Sequence, residues 1–377
     1  MIQIPIFKAH LCVELIPGEG VLLLSEDGVR VLHGQLYERL APLIDGNRSS
    51  EQIVEALAGQ AEPAKVYFAL MLLEKNGHLA EATAEILQER SRLAPSGALE
   101  TTHLDKLAGT ACWVAAARAA ESARADRLFD DPWAEALAGA EGKAWLERFG
   151  EARDSLAIRT RFFDDFLLAA TATHQIRQVV ILAAGMDTRA LRLAWPAGIR
   201  IFELDQPELV GWKEQTLAAC GAVIPDGRTT IGVNLNDDWE TALLAAGFDP
   251  NLPSAWLLEG LLVYLPAPVV AQLLGRVTAL AAPGSQLGSD VVNCGMLTSI
   301  LSRRQRNTLR EAGVPWRFGA DHPERLLGAH GWTARPSSIN AIARHYGRPA
   351  LQEGLLRLLP SAPDAFLITA TVAQQNL

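Results

Sequence analysis

The chain contains 377 residues, of which 49% are hydrophobic and 20% charged, and its formal net charge is −9. This length exceeds that of one typical compact domain, so we expect two domains. The acidic balance, without any Lys- or Arg-rich run, argues against nucleic-acid binding, because neutralising phosphates requires clustered cations.

The sequence lacks the features of membrane insertion, export and metal binding. Every apolar segment is shorter than a membrane span, and residues 1–7 lack a secretory cleavage site, so we expect a cytoplasmic protein. The cysteines and histidines have no metal-ligand spacing, and we predict no metal site. We expect reduced, buried thiols at all four cysteines, which are Cys12, Cys112, Cys220 and Cys294.

Residues 1–82 have the features of a small separate domain. Short apolar runs separated by Gly-containing turns predict a three-stranded antiparallel meander, with strands at 11–16, 21–24 and 29–32. Helical segments follow, so we predict a winged-helix-like α+β domain. A linker that is partly helical at its start is expected at 83–106.

Three helices are predicted after the meander. Leucines at helical spacing continue up to Gly46, which is expected to end the first helix. The residues from Ser49 to Gln52 have the form of a capping box, with Ser49 at the N-cap of the second helix. A third helix begins near Pro63 and ends at Asn76 and Gly77.

The remainder of the chain, 107–377, predicts a larger α/β domain. It is first Ala-rich and helical, and from residue 178 apolar runs alternate with helical segments. This alternation predicts a Rossmann-like parallel sheet with helices on its faces. The seven predicted strands span 178–183, 199–204, 229–233, 255–258, 286–292, 332–336 and 365–372.

The first strand of this sheet runs into a turn of small residues. Ala183, Ala184 and Gly185 follow the strand, and a short helix begins soon after them. Small side chains allow a ligand to approach the backbone closely, and a helix N-terminus presents free N–H groups. By itself this pattern is equally compatible with an ordinary tight β–α turn.

The second strand adds a carboxylate at a meaningful spacing. Asp205, which precedes Gln206, lies 20 residues beyond Gly185. A carboxylate there can accept hydrogen bonds from both hydroxyls of a ribose. The turn lacks the G-x-G-x-x-G pattern that admits a pyrophosphate. These features favour a nucleoside cofactor without phosphate, such as S-adenosyl-L-methionine.

Polar residues also follow the third and fourth strands. Asn234 and Leu235 lie where an adenine amino group could be bound, although an Asn or Asp of the segment 234–239 could equally be a helix N-cap. Glu259 and Gly260 end the fourth strand, and a carboxylate there would lie in the ligand crevice of an open α/β sheet. An idle charge among the apolar neighbours of Glu259 would be costly, which favours a functional role.

Residues 105–375 resemble the leucine carboxyl methyltransferase family, a group of class I S-adenosyl-L-methionine-dependent enzymes, especially its bacterial branch. The resemblance rests on six ordered motifs, RAAE at 118–121, DRLFDDP at 126–132, RTRFFDD at 159–165, AGMDTR at 184–189, ELDQP at 203–207 and EGLLVYLP at 259–266. It implies an S-adenosyl-L-methionine cofactor and a seven-stranded sheet.

The resemblance also implies roles for individual residues. Arg118 and Arg159 would hold the methionine carboxylate of the cofactor, and Glu259 its amino group. Asp205 would bind the ribose, and Asn234 with Leu235 the adenine. The full set of expected cofactor-binding residues is Arg118, Arg159, Ala183, Ala184, Gly185, Asp205, Gln206, Asn234, Leu235, Glu259 and Gly260.

Two of these positions depart from the family pattern. Ala183 stands where the family commonly has Gly, which adds a methyl group beside the cofactor. Asn234 stands where the family commonly has Asp, which removes a charge but keeps an acceptor oxygen. We therefore expect weaker cofactor binding rather than none.

Residues 1–82 are similar to the peptide-recognition domains of enzymes that modify ribosomally synthesised peptides, which are related to the peptide chaperone of pyrroloquinoline quinone biosynthesis. The matching segments are 20–26 and 34–45. The resemblance implies that a leader peptide adds a strand near 29–32, against the third helix. The alternatives are a domain that packs only against its own enzyme and, less favoured because that helix has few cations besides Lys65 and Lys75, a DNA-binding domain.

The predicted function is methylation of a precursor peptide that the N-terminal domain docks, with a carboxylate as the expected acceptor. An ionised carboxylate with a pKa near 4 needs no general base, so catalysis reduces to positioning and desolvation. Arg161 and Tyr264 are the candidates for orienting the acceptor. Arg161 is equally interpretable as a surface ion-pair partner of Asp164 or Asp165.

Other functions stay open at this point. A nitrogen or carbon acceptor would need a general base, for which Asp187, Glu203 and Asp290 are candidates. A small-molecule carboxyl or hydroxyl methyltransferase would use the N-terminal domain for dimerisation or as a lid. A non-catalytic scaffold would keep the fold only to bind peptide. A homodimer is compatible with each of these, whereas nucleic acid and membrane are not expected partners.

Overall fold

The computed structural model describes residues 2–8, 12–16, 20–25, 28–83, 104–149, 153–299, 302–349 and 363–372. These residues form two compact units. The first contains the residues up to 83, and the second contains most of those from 104 onward. The predicted linker falls mainly at 84–103, outside the described residues, and its last positions belong to a helix that begins at Leu104.

The first unit contains the antiparallel meander that the sequence predicts. Its five strands are β1 (Pro5–Phe7), β2 (Cys12–Ile16), β3 (Gly20–Ser25), β4 (Gly28–His33) and β5 (Leu79–Glu81). Strands β2, β3 and β4 pair in that order, so β2 and β4 are the edges. Strands β1 and β5 form a separate antiparallel pair that we did not predict, because three-residue strands are too short to show alternation.

Three α-helices accompany this sheet, α1 (Gln35–Leu40), α2 (Ser50–Ala56) and α3 (Pro63–Lys75). The predicted capping box is confirmed, since Ser49 Oγ accepts from Gln52 N at 3.2 Å and Gln52 Oε1 accepts from Ser49 N at 2.8 Å. The first helix was expected to run to Gly46 and instead ends at Leu40, followed by a 3₁₀ turn. Pro42 explains the difference, because it has no N–H to continue the α-helical hydrogen bonds.

The second unit is built on a seven-stranded sheet, as predicted. Its strands pair in the order β8-β7-β6-β9-β10-β12-β11, and only β12 runs antiparallel to its neighbours. This is the strand order expected of a class I methyltransferase. The strands are β6 (Gln178–Leu182), β7 (Arg200–Asp205), β8 (Arg228–Gly232), β9 (Ser254–Leu258), β10 (Gln286–Val292), β11 (Trp332–Ser338) and β12 (Ala365–Val372).

Helices cover both faces of this sheet. Because both faces are buried, consecutive strand residues belong to opposite cores: Val179 and Ile181 pack on one side and Val180 and Leu182 on the other. The helices are α4 (Leu104–Ser122), α5 (Ala134–Arg148), α6 (Arg153–Ala172), α7 (Arg189–Arg192), α8 (Pro207–Ala219), α9 (Trp239–Ala245), α10 (Ala267–Leu280), α11 (Cys294–Thr298), α12 (Arg303–Glu311), α13 (Pro323–Gly328) and α14 (Ile339–His345).

The expectation of buried cysteines is only partly correct. Cys112 is buried in α4, but Cys220 and Cys294 are exposed. Both exposed residues lie at helix ends, Cys220 at the C-terminus of α8 and Cys294 at the start of α11, where the chain is at the surface. The side chain of Cys12 is outside the described residues. Among the described helices, no segment is long and apolar enough to cross a membrane.

Candidate active site

The carboxyl ends of the parallel strands β6, β7, β8, β9 and β10 meet at one edge of the sheet. The turn after β6 is unusually tight: Ala183 has φ +52° and Gly185 has φ +46°. A Cβ built on Gly185 would lie 3.1 Å from Ala111 Cβ of α4, so a side chain there would require the helix to move. The turn of small residues is therefore a close-packed feature of the sheet edge.

Asp205 joins this turn to the end of β7. Its carboxylate accepts from Gly185 N at 2.6 Å and from Gln206 N at 2.7 Å. Burial raises the pKa of Asp205, and the two backbone N–H groups only partly offset this rise. Each carboxylate oxygen has one backbone donor, which leaves acceptor capacity for further hydroxyl groups. The structure thus brings Gly185, Asp205 and Gln206 together.

Glu259 and Asp290 hold the guanidinium group of Arg159 between them. Arg159 Nε lies 2.9 Å from Glu259 Oε1, and its Nη1 lies 3.1 Å from Asp290 Oδ2. Asp290 Oδ1 also accepts from Gly260 N at 2.6 Å. Gly260 has φ +63°, and a Cβ on it would lie 3.2 Å from Arg159 Nη2. Because Gly260 has no side chain, Arg159 Nη2 is left uncovered on the side that faces Gly260.

A second guanidinium group, that of Arg189, completes the cluster. Its Nη1 lies 2.8 Å from Glu259 Oε2 and also contacts Asp187. Burial alone would raise the pKa of Glu259, but the charges of Arg189 and Arg159 outweigh it and lower the pKa. Burial acts likewise on Asp187, where the charge of Arg189 prevails and lowers the pKa to about 2. Both carboxylates are therefore ionised at neutral pH.

The charges in this cluster do not balance. The two guanidinium groups of Arg159 and Arg189 contact four carboxylates, of which one is shared with Arg192: Glu259, Asp290, Asp187 and Asp164. Glu259 Oε2 is buried and, despite its short distance to Arg189, has no aligned hydrogen-bond donor. A buried acceptor without a donor is rare in proteins unless a ligand satisfies it. The cluster thus has the charge and the acceptor to bind a cation.

Arg118, on α4, contacts the turn that follows β6. Its Nε lies 2.8 Å from Asp131 Oδ2, and its Nη2 donates to the carbonyl oxygen of Met186. Asp131 Oδ2 also accepts from Thr188 Oγ1 at 2.6 Å. Burial tends to raise the pKa of Asp131, but the charge of Arg118 lowers it overall. Arg118 is therefore placed beside the turn, although two of its nitrogens already have protein partners.

Asn234 and Leu235 follow β8 as predicted. Asn234 Oδ1 accepts from Asn236 N at 2.9 Å, which closes a local turn. The N-cap of α9 is Asp238, whose side chain accepts from Thr241 N at 3.2 Å, so the alternative of a helix N-cap in this segment is confirmed, at Asp238 and not at Asn234. Leu235 packs partly against the core of the sheet.

The two candidates for orienting the acceptor differ in their surroundings. Arg161 Nε lies 2.9 Å from Asp165 Oδ1, both side chains are about two-fifths exposed (41% and 43%), and Nη1 donates to Leu128 O. The alternative interpretation, a surface ion pair with Asp165, is therefore the one that the geometry favours. Tyr264 instead packs with aromatic residues near Arg159, and burial raises its pKa.

The structure thus gathers the predicted residues into two groups. Gly185, Asp205 and Gln206 form one, and Arg159, Glu259 and Gly260 form the other. Arg189 was missed as a site residue, and Asp290, a partner of Arg159, was named only as a candidate base. A signal for Arg189 existed, because it belongs to the AGMDTR motif directly after the turn, but its side-chain direction depends on packing.

These residues fit S-adenosyl-L-methionine. Glu259 Oε2, which has no aligned hydrogen-bond donor, suits its ammonium group, the uncovered Arg159 Nη2 suits its carboxylate, and Asp205 has acceptor capacity for ribose hydroxyls. The surplus of negative charge matches a cofactor that has a sulfonium and an ammonium but a single carboxylate. The fold and this site together define a class I methyltransferase.

Comparisons with known proteins agree with that class. Residues 111–278 match the leucine carboxyl methyltransferase family, and residues 6–81 match a winged helix-turn-helix domain. A protein of Saccharopolyspora erythraea, named as an S-adenosyl-L-methionine-dependent methyltransferase, is 40% identical over 258 residues, which are 64% of this chain and 88% of that protein. A similarly named protein of Mycolicibacterium smegmatis is 43% identical over 260 residues, 63% of this chain and 87% of that protein.

Solved structures with low identity are also similar. A protein of Thermobifida fusca YX, described as a methyltransferase, has a TM-score of 0.48 at 17% identity, over 70% of this chain and 94% of that one. The magnesium protoporphyrin IX methyltransferase of Synechocystis PCC 6803, solved with bound S-adenosylhomocysteine, has a TM-score of 0.36 at 13% identity, over 58% and 87%.

The chain belongs to the leucine carboxyl methyltransferase family of S-adenosyl-L-methionine-dependent methyltransferases. It is an enzyme with that cofactor, and it has a winged-helix domain at its N-terminus. A non-catalytic scaffold, left open by the sequence, is therefore not its function.

Proposed function

We propose that the enzyme transfers a methyl group to a carboxylate of a peptide that its N-terminal unit holds as an added β-strand. When bound, S-adenosyl-L-methionine supplies a methyl group that is already electrophilic because it is attached to a sulfonium. Arg159 and Glu259 would hold the methionine end, and Asp205 would hold the ribose. The product would be a methyl ester, and no proton has to be removed from an ionised carboxylate.

The observation that supports a carboxylate as the acceptor is the pairing of the candidate general bases with other groups. Asp187 is paired with Arg189, and Asp290 is held by Arg159 and by the N–H of Gly260. For Asp187 this pairing lowers the pKa to about 2, which makes it a poor proton acceptor. Burial raises the pKa of Asp290, but its two carboxylate oxygens are engaged by Arg159 and by Gly260 N.

Glu203, the third candidate base, is also held in ion pairs. Its carboxylate is 2% exposed and lies 2.7 Å from Lys213 Nζ and 2.8 Å from Arg228 Nη2. Both contacts are made by Oε2, so two cations compensate the charge of Glu203, while its Oε1 is buried without a hydrogen-bond donor among the described residues. A nitrogen or carbon acceptor, which needs a general base, is therefore less compatible with the described site than a carboxylate.

Peptide docking is supported by the form of the first unit. Strand β4 is an edge of the three-stranded sheet, and among the described residues no strand pairs with its outer row of backbone groups, which could therefore pair with an added strand. Helix α3 exposes Phe68 (60%) and Met71 (47%), which are three residues apart and share one helix face. An edge strand and an exposed apolar helix face are the two elements by which an extended peptide is bound.

The charge of this unit disfavours DNA as the partner. Residues 1–82 contain eleven acidic and six basic residues. On α3, Lys65 Nζ lies 3.1 Å from Glu62 Oε1, which reduces its positive potential further. An acidic domain lacks the phosphate contacts on which DNA affinity depends, so a peptide is the better proposal.

A second candidate function follows from the aromatic cluster around Tyr264. Trp113, Trp145, Phe149, Tyr264 and Trp316 pack together, and Tyr264 is close enough to Arg159 for its pKa to respond to that charge. An aromatic environment beside the cofactor cluster also suits a small apolar acceptor. In that case the N-terminal unit would serve in dimerisation or as a lid.

The acceptor is tested by the chemistry of the product. The full-length enzyme is incubated with methyl-labelled S-adenosyl-L-methionine and, in separate reactions, with the short peptides encoded beside its gene. We expect one added methyl group on a peptide, released as methanol by mild alkali, which is the behaviour of an ester. A methylated peptide that is stable to alkali would contradict the carboxylate, and labelling of small carboxylic acids alone would favour the second candidate.

Docking is tested with a matched pair of surface variants. Met71→Glu places a charge on the exposed face of α3, whereas Leu252→Glu does the same at an equally exposed residue of the second unit (47%). We expect the first variant to lose affinity for the methylated peptide at least about tenfold, with the second unchanged. Equal affinities of both variants, measured by fluorescence anisotropy, would refute the role of α3.

A further inference from the structure

The guanidinium of Arg159 is held by two carboxylates from two different strands. Glu259, directly after β9, takes its Nε at 2.9 Å, and Asp290, on β10, takes its Nη1 at 3.1 Å. The remaining nitrogen, Nη2, points past Gly260, where a Cβ would lie only 3.2 Å away. A planar guanidinium held at two of its three nitrogens has a fixed direction for the third.

Asp290 also fixes the chain that forms the floor of this site. Its Oδ1 accepts from Gly260 N at 2.6 Å, while its Oδ2 faces Arg159. Gly260 adopts φ +63°, a conformation in which its N–H turns toward β10. One largely buried carboxylate therefore holds both the side chain that would bind the cofactor carboxylate and the backbone beside it.

We propose that Asp290 is a positioning residue for the methionine end of the cofactor, acting through Arg159. This rests on the placement of the cofactor carboxylate at Arg159. Glu259 is engaged by both guanidinium groups and is also the residue that would hold the amino group, so it cannot alone set the direction of Arg159. Without Asp290, Arg159 keeps one anchor and can rotate about it, and Nη2 leaves its position over Gly260.

Loss of Asp290 should affect two ligands differently, although both contain adenine and ribose. S-adenosylhomocysteine has the methionine-derived end, whereas 5′-methylthioadenosine lacks it. Asp290→Asn keeps an acceptor for Gly260 N but turns an amide N–H₂ toward Arg159, so two donors face each other. We expect the affinity of this variant for S-adenosylhomocysteine to fall at least about tenfold, the size of one lost charged hydrogen bond, and its affinity for 5′-methylthioadenosine to change less than about twofold.

The experiment is titration calorimetry of the full-length protein with each nucleoside, so it does not depend on knowing the acceptor. Arg159→Lys tests the premise and is expected to show the same selective loss. In the Arg159→Lys background, Asp290→Asn should cause no further loss, because its effect passes through the missing guanidinium. Asp205→Ala is the contrasting variant, since loss of the ribose contact should weaken both ligands together.

Each outcome decides a separate point. If Arg159→Lys binds both ligands as the wild type does, the cofactor carboxylate lies elsewhere and the inference fails with its premise. If Arg159→Lys shows the selective loss and Asp290→Asn does not, only the role of Asp290 is refuted. If Asp290→Asn loses affinity for both ligands equally, Asp290 has a general structural role and the proposal is refuted. Asp290→Glu, which keeps the charge but displaces it by one methylene, must show the selective loss if the Asn variant does not fold.

Discussion

Replacing Ala183 with glycine tests the most unusual backbone feature of the site. Ala183 is in the left-handed region, with φ +52°, directly after β6 and two residues before Gly185. A Cβ clashes with the backbone in this conformation, and glycine has no such penalty. The resemblance to the family implies glycine here, so the substitution Ala183→Gly gives the turn the residue for which its geometry is suited.

The expected gain in stability is the difference between two opposing effects. Relief of the left-handed strain contributes about 1–2 kcal/mol. The greater freedom of glycine in the unfolded chain costs about 0.4–1 kcal/mol. The net effect is a stabilisation of about 0.5–1 kcal/mol, which for a unit of this size raises the melting temperature by roughly 1–4 °C.

A second effect concerns the cofactor, because the methyl group of Ala183 is expected to lie beside it. Removing this group should tighten binding of S-adenosylhomocysteine by about two- to fivefold, the lower range of relief from overpacking. Gln175→Gly is the matched control. Gln175 is the other described non-glycine residue with positive φ, at +56°, and it lies on an exposed loop before β6.

The two variants should therefore differ in one measurement and agree in another. Both should raise the melting temperature of the ligand-free protein in differential scanning calorimetry, and only Ala183→Gly should raise the affinity for S-adenosylhomocysteine. A lower melting temperature in Ala183→Gly would refute the assignment of backbone strain. An unchanged affinity would show that the methyl group of Ala183 does not face the cofactor.

Three further predictions concern single side chains. Asn234→Asp should tighten S-adenosylhomocysteine binding about threefold in calorimetry. The single amide oxygen of Asn234 already accepts from Asn236 N, whereas a carboxylate supplies a second acceptor for the adenine amino group. An unchanged affinity would contradict the adenine contact. Ser49→Ala should lower the stability of the first unit by about 1 kcal/mol, seen as earlier urea unfolding of that unit alone; an unchanged midpoint would argue against the capping box. The pKa of Asp187 is lowered from 3.8 to about 2, so its contribution is complete above pH 4 and is lost as the pH falls through 2. Asp187→Asn should therefore be less stable by about 2 kcal/mol at pH 7, and this difference should narrow between pH 4 and 2; a constant difference would refute the ionised pair with Arg189.

The sequence by itself determined the features that depend on neighbouring residues. The seven strands, the capping box at Ser49 and the turn at Gly185 follow from periodicity and turn chemistry within short windows. The meeting of Gly185 with Asp205 was also predictable, because β6 and β7 are adjacent parallel strands whose carboxyl ends lie at the same edge.

Only the tertiary structure decided which charges meet across long separations. Arg159 contacts Glu259 and Asp290, which are 100 and 131 residues further along the chain. Their meeting depends on how α6 packs across the sheet and on the register between β9 and β10. Neither leaves a signal in local sequence, which is why Asp290 first looked like a candidate base.

The direction of a helical side chain is the other property that packing decides. Arg159 and Arg161 are two residues apart in one motif, and the sequence assigned both to the site. Two residues of an α-helix are about 200° apart, so the two side chains cannot share a face. The contacts of α6 with the sheet turn Arg159 toward Glu259 and leave Arg161 at the surface with Asp165.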